Sequence, residues 1–94
     1  MKLFWSKAAM RDLDEIATYL GMESERAAEF VEGRIHKEAK LLSRFPRSGR
    51  IGRAPGTRER VVGKTPYILV YRPVPGRIHV LRVYHGSRKW PNEF

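Results

Sequence analysis

The chain has 94 residues and no cysteine, which predicts a single domain over residues 1–94 and excludes disulfide and thiolate chemistry. No stretch approaches the ~20 apolar residues of a membrane span and the N-terminus has no signal-peptide pattern, so the sequence predicts a soluble cytoplasmic protein. The formal net charge of +9 at pH 7 favours nucleic acid, an acidic protein surface, or both, as partners. A basic surface that only maintains solubility is the alternative.

The first half of the chain predicts a strand and two helices. The letters KLFW at residues 2–5 indicate a strand, and Ser6 is an N-cap candidate for a helix over residues 7–20. Its apolar residues recur at helical spacing and leave four charged residues pointing outward, namely Arg11, Asp12, Asp14 and Glu15. Ser24 is the N-cap candidate for a second helix over residues 25–44, with an apolar stripe of Ala28, Val31, Ile35, Ala39 and Leu42.

Gly33 interrupts the second helix and costs about 1 kcal/mol relative to alanine there, so we interpret it as a point of close approach to the first helix. The two helices then form an antiparallel hairpin with a short link. The glycine- and proline-rich letters FPRSGRIGRAPG, residues 45–56, predict a loop.

Three strands are predicted in the second half, with the letters RERVV, YILVYRPV and RIHVLRVYH. A two-residue hairpin turn at Gly63-Lys64 separates the first two, and a turn at Pro75-Gly76 separates the last two. The resulting order β-α-α-β-β-β predicts an α+β fold in which a helical hairpin packs on a small antiparallel sheet, with the first strand added at an edge.

The last two strands have no purely apolar face. Strict alternation places Tyr67, Leu69 and Tyr71 together on one face of the middle strand. On the last strand it places Ile78, Val80, Arg82 and Tyr84 opposite His79, Leu81, Val83 and His85. This pattern is typical of a sheet covered by helices on one face and by a partner on the other.

Few residues have the types and spacing that catalysis or metal binding requires. Glu59 and Glu93 are the only acidic residues of the second half, which disfavours two-metal nuclease chemistry. The three histidines lack metal-ligand spacing, and no phosphate-binding glycine loop occurs, so neither a metal nor another cofactor is expected. Metal-free phosphate chemistry, or binding alone, remains.

Basic residues run from the end of the second helix through the loop and the strands that follow, and arginine, which binds phosphate and carboxylate with two parallel hydrogen bonds, predominates. They are Arg44, Arg47, Arg50, Arg53, Arg58, Arg60, Lys64, Arg72, Arg77, Arg82, Arg88 and Lys89. Four aromatic residues interleave with them and offer base-stacking surfaces: Tyr67, Tyr71, Tyr84 and Trp90. For Tyr67 and Tyr71 a place in the core is the favoured reading.

His85 stands where the last strand ends, with Arg82 and Arg88 each three residues away. A histidine in this position is a candidate general acid or base. The alternative, which the sequence favours, is a histidine that holds the turn by hydrogen bonding to the backbone.

The succession DLDEIATYL, FPRSGR, RERVV, PYILVYRPV and IHVLRVYHGSRKWP resembles the RelE/ParE superfamily of bacterial toxin–antitoxin toxins over nearly the whole chain. The resemblance implies the same helical hairpin on a small sheet. It also implies an acidic, partly disordered antitoxin as a partner that wraps and neutralises the toxin.

The two branches of this superfamily imply different activities. RelE-like members cleave mRNA in the ribosome without metal, using strand arginines and a C-terminal Tyr or His. Here Ile68 stands at the middle-strand arginine position, Gly86 near the end-of-strand arginine position, and no tyrosine follows Tyr84. The segment LRVYHGSRKW, residues 81–90, is more similar to the ParE branch, and this resemblance implies a non-enzymatic inhibitor of DNA gyrase.

Three hypotheses follow from the resemblance. A gyrase inhibitor would use a target-binding surface made of Arg60, Arg82, His85, Arg88, Lys89 and Trp90. A metal-free mRNA interferase would use His85 as acid and base, Arg60 and Arg88 on the scissile phosphate, and Tyr84 or Trp90 to stack a base, with the ribosome and mRNA as partners. The third is an inactive family member that serves only as a binding module.

Overall fold

Two helices pack on one face of a five-stranded sheet. The computed structural model describes residues 1–87. In chain order the elements are β1 (Lys2–Trp5), α1 (Lys7–Gly21), α2 (Glu25–Arg44), β2 (Arg50–Ile51), β3 (Arg58–Val61), β4 (Tyr67–Val74) and β5 (Arg77–His85). The strand order is β1-β5-β4-β3-β2. Because β1 joins the edge parallel to β5 while the other pairs are antiparallel, the sheet is mixed. The predicted α+β fold class is confirmed.

The two serine caps explain where the helices begin. The Ser6 hydroxyl accepts a hydrogen bond from the Ala9 amide at 2.9 Å, and the Ser24 hydroxyl accepts one from the Ala27 amide at 3.1 Å. Each satisfies an amide that has no partner inside its helix. Both predicted caps are confirmed. In the described part of the chain, no helix combines the length and apolar character needed to span a membrane.

The core lies between the helices and one face of the sheet. The predicted stripe of α2 contributes Val31, Ile35, Ala39 and Leu42, all buried, and Tyr67 and Tyr71 of β4 are buried with them. The core reading of these two tyrosines is confirmed. Gly33 does not mark a close approach: it is exposed, and a Cβ atom built there would meet nothing within 4 Å, because this face of α2 points to solvent.

The segment predicted as a loop contains the short strand β2, which pairs with β3 through Arg50 with Glu59 and Ile51 with Arg58. The following turn lies where the sequence predicts it, but it is longer. The Val62 amide donates to the Tyr67 carbonyl at 2.9 Å, so four residues, 63–66, form the loop. Pro66 has no amide hydrogen to donate, and pairing therefore resumes only at Tyr67.

A β-bulge reverses the predicted faces of the last strand. Tyr71 pairs with Val80 and Val70 pairs with Arg82, so Leu81 has no partner on β4. The extra residue shifts the alternation by one position. Val83 therefore joins Val80 in the core on the helix side, and the predicted grouping of Val80 with Arg82 is wrong.

The second face of the sheet is also buried at its centre. Ile68 is 7% exposed, Val70 is fully buried, and Tyr84, two residues after Arg82, is 1% exposed. These side chains are buried within the single chain. The expectation that a partner covers this face is therefore wrong for the centre of the sheet.

Candidate target-binding surface

The outer edge of β5 is completed by α1 rather than by a strand. β1 ends at Trp5, opposite Val80, so beyond this point the backbone groups on the outer edge of β5 have no strand partner. The Ser6 hydroxyl donates to the Leu81 carbonyl at 2.7 Å, and the Asp12 carboxylate accepts from the Val83 amide at 2.9 Å. Asp12 is 5% exposed, so the prediction that it points outward is wrong. It is buried because it substitutes for the missing strand.

Asp12 also binds Arg82, the first of the predicted surface residues. The guanidinium donates to both carboxylate oxygens, at 2.8 Å from Nε and 2.9 Å from Nη2. Its carbon lies 4.5 Å from the centre of the Tyr84 ring, which adds a cation–π contact. The hydrogen bonding of its guanidinium to Asp12, which accepts, is the main reason that the pKa of Arg82 is raised. Only 25% of the Arg82 side chain is exposed, and its charge is already paired with Asp12. A target could therefore contact only one side of the guanidinium.

Arg60, on β3, is held in the same way by a residue of α2. Its Nε donates to Glu38 at 2.8 Å, and Arg34 binds the other oxygen of the same carboxylate at 3.1 Å. The Glu38 side chain is only 9% exposed. The sequence contains a signal for this residue: Glu38 follows Ile35 by three positions, and Arg34 precedes it by four, which is ion-pair spacing on a helix.

A third buried carboxylate, Glu59 of β3, holds the segment that contains β2. One of its oxygens accepts from Arg50 Nη2 at 2.9 Å, and the other accepts from the Arg53 amide at 2.8 Å. Its side chain is 2% exposed. The three buried carboxylates thus bind several of the arginines that the sequence counts as surface charge.

His85 lies at the exposed end of β5 and holds the turn that follows. The Ser87 amide donates to His85 Nδ1 at 3.1 Å, and the Ser87 hydroxyl lies 2.7 Å from the same nitrogen. Because Nδ1 accepts the amide hydrogen, a neutral ring carries its proton on Nε2. This backbone contact confirms the turn-holding reading.

A small cavity of about 160 Å³ adjoins His85, with Glu15, Tyr19 and Tyr67 among its walls. The His85 ring meets the Tyr67 ring edge to face, with 5.6 Å between their centres. Burial, and then the neighbouring Tyr19, raise the pKa of Tyr67. An uncharged phenol therefore supports the imidazole at this end of the sheet.

The predicted surface residues do not meet at one point. Arg82 and His85 lie on β5, whereas Arg60 lies on β3, with β4 between them. Ile68, at the middle-strand arginine position of RelE-like members, is buried and apolar. Three further predicted residues, Arg88, Lys89 and Trp90, lie outside the described residues. Among residues 1–87, no group of three or more His, Asp or Glu is placed to hold a metal ion.

The family model for the ParE toxin of type II toxin–antitoxin systems matches residues 3–90 of this chain. The chain belongs to this family. It is a toxin of the RelE/ParE superfamily, and the resemblance found in the sequence is confirmed.

Two relatives of this ParE-family toxin extend over almost its full length. The protein Y4kP of Sinorhizobium fredii is 38% identical over 90 residues, which cover 96% of this chain and 93% of Y4kP. Toxin RelE2 of Caulobacter vibrioides is 31% identical over 87 residues, which cover 93% of this chain and 97% of RelE2. One of these relatives thus has the name of the RelE branch, whereas the family model has the name of the ParE branch.

Solved structures share the fold. A chain of the chromosomal ParDE toxin–antitoxin system from P. aeruginosa matches with a TM-score of 0.79 and 26% identity, covering 90% of this chain and 95% of that one. The YoeB/ParE toxin from Agrobacterium tumefaciens matches with a TM-score of 0.59 and 20% identity, covering 90% and 98%. At this lower identity the second match supports the fold alone.

Proposed function

We propose that this ParE-family toxin binds and inhibits DNA gyrase and is neutralised by a cognate acidic antitoxin. The observation that carries the proposal is the pairing of its strand arginines with buried carboxylates. Arg60 is bound by Glu38 and Arg82 by Asp12, on opposite sides of β4. A guanidinium that is already paired cannot rearrange around a phosphate as that phosphate is cleaved. A fixed guanidinium is suited to recognition of a rigid protein surface.

The proposed target-binding surface is centred on the end of β5. His85 and the turn after it are exposed, and Arg88, Lys89 and Trp90 follow directly in the sequence. Arginine and tryptophan are the residue types that contribute most to protein–protein binding energy. The partly exposed guanidinium group of Arg82 lies on the same strand and adds to this surface, whereas Arg60, bound by Glu38, lies on the helix side of the sheet.

A supercoiling assay with purified DNA gyrase tests the proposal. The toxin is expected to inhibit supercoiling in proportion to its concentration, and Arg88→Ala and Trp90→Ala are expected to weaken inhibition by roughly 10-fold or more each, the effect of a central contact residue. Arg77→Ala is the matched control, because Arg77 is an exposed arginine at the opposite end of β5 from His85. Unchanged supercoiling at large molar excess of toxin would exclude gyrase as the target.

The mRNA interferase hypothesis is tested with the same preparations. The 31% identity to a toxin named RelE2 is the observation that favours keeping it. Ribosome-dependent cleavage of mRNA that disappears in His85→Ala would replace the gyrase proposal. Expression in cells without antitoxin separates all three hypotheses: a DNA-damage response indicates gyrase, translation arrest indicates the ribosome, and normal growth indicates a binding module.

A further inference from the structure

Phe45 caps the C-terminus of α2 and places a large aromatic side chain at the surface. It is 56% exposed, and its amide donates to the Leu41 carbonyl at 2.9 Å, which fixes its backbone to the end of the helix. The Arg44 guanidinium lies 5.8 Å from the centre of the Phe45 ring. An exposed ring beside a cation is a suitable surface for a planar anionic ligand.

The ring forms part of a shallow depression of about 540 Å³ lined by Arg44, Phe45, Pro46, Arg47 and Ser48. The core holds this segment in place. The buried Tyr71 hydroxyl donates to the Pro46 carbonyl at 2.8 Å and accepts from the Gly49 amide at 2.9 Å. The depression is therefore a preformed feature of the loop between α2 and β2.

The cations of the depression differ from the arginines that hold the fold together. Arg34, Arg60 and Arg82 each bind a buried carboxylate. Within residues 1–87, Arg44 and Arg47 form no ion pair with a carboxylate, and both are exposed. Their charge is thus available to an external anion.

We propose that this depression binds single-stranded nucleic acid, with one base stacked on Phe45 and the adjacent phosphates bound by Arg44 and Arg47. An unpaired base has an exposed face for the ring, whereas the bases of a duplex are stacked on each other. An acidic peptide would satisfy the arginines but has no need of the phenylalanine. The site goes beyond gyrase inhibition and does not require gyrase.

Fluorescence anisotropy with a labelled oligonucleotide of about 12 thymidines tests the stacking contact. Phe45→Ala is expected to weaken binding by roughly 5- to 150-fold, the effect of losing one base–aromatic stack. Phe30→Ala is the matched control: Phe30 is also on α2 and 50% exposed, but its neighbours are Glu29 and Glu32. It is expected to change binding by less than about twofold.

Phe45→Leu distinguishes stacking from simple apolar contact, because leucine keeps an apolar side chain but has no ring. Thermal melts check that each variant is folded. It is expected to bind as weakly as Phe45→Ala. Arg47→Ala tests the phosphate contact: between about 50 and 200 mM salt it is expected to lower the slope of log K against log salt by about 0.7, the value for one phosphate of a single strand.

Three outcomes would overturn the proposal. The first is equal affinity of Phe45→Ala and Phe30→Ala for the oligonucleotide. The second is wild-type affinity of Phe45→Leu, which would mean that no base stacks on the ring. The third is equally tight, Phe45-dependent binding of a poly-glutamate peptide, which would assign the depression to an acidic protein partner. None of these outcomes depends on the supercoiling assay.

Discussion

Replacement of Asp12 by alanine tests whether α1 completes the edge of the sheet. The change removes the acceptor of three hydrogen bonds, two charge-assisted ones from the Arg82 guanidinium and one from the Val83 amide. Breaking a buried ion pair costs about 3–5 kcal/mol, but water can rehydrate part of a guanidinium that is 25% exposed. The Val83 amide, left without an acceptor, costs about 1–3 kcal/mol. Together these effects predict a loss of about 3 kcal/mol in the free energy of unfolding.

Urea unfolding followed by circular dichroism measures this loss as a lower midpoint with an unchanged slope. A thermal scan is expected to show a melting temperature lower by about 12–24 °C, from about 4–8 °C per kcal/mol for a domain of this size. Asp14→Ala is the matched control, because Asp14 is exposed on the same helix, and it should change stability by less than about 0.5 kcal/mol. If the two variants unfold at the same urea concentration, Asp12 does not hold the strand edge.

Three further changes test other parts of the fold. Glu38→Ala is expected to lower the free energy of unfolding by about 2–3 kcal/mol, because it leaves two partly buried arginines without their shared acceptor. Replacement of the exposed Glu32 by alanine should cost little, and equal urea midpoints for the two variants would contradict this. Gly49→Ala would place a Cβ atom 2.6 Å from the Tyr71 hydroxyl and should destabilise the protein by about 1–3 kcal/mol, whereas Gly33→Ala should stabilise it by about 0.5–1 kcal/mol. Thermal melts in which Gly49→Ala is the more stable of the two would contradict the tight packing at Gly49. Because burial raises the pKa of Tyr67 above its usual value of 10.0, the stability from its neutral phenol is full below pH 10 and is lost as pH rises through the folded pKa. Tyr67→Phe should therefore flatten the fall in urea midpoint above pH 10, and an unchanged pH profile would count against this burial effect.

The sequence predicted best those features that depend on neighbouring residues. The N-caps Ser6 and Ser24 and the turn at Pro75-Gly76 follow from local hydrogen bonding and backbone preference, and all three lie where the sequence places them. The bulge at Leu81 depends on how two strands align across the sheet. A period-two pattern contains no information about such an added residue.

The candidate site was predicted less well, because a sequence shows how many charges a chain has but not which of them are paired. Asp12 follows Ala9 by three positions and precedes Ile16 by four, so it lies on the apolar side of α1 despite its charge. That spacing was the available signal for burial. Phe45 was missed for the opposite reason, since a phenylalanine in a loop segment carries no period from which exposure can be read.

The bulge at Leu81 decides which side of the sheet receives the residues at the end of the last strand. Without it, Arg82 and Tyr84 would point into the helix layer, and Val83 would leave the core. Deletion of Leu81 itself would instead restore regular alternation and leave Arg82, Val83 and Tyr84 on their present faces, because the residue removed is the one without a partner on β4. In a family member, a gap at Leu81 is thus compatible with the same exposed side chains, whereas a strand that keeps this residue without the bulge presents the opposite set to a target.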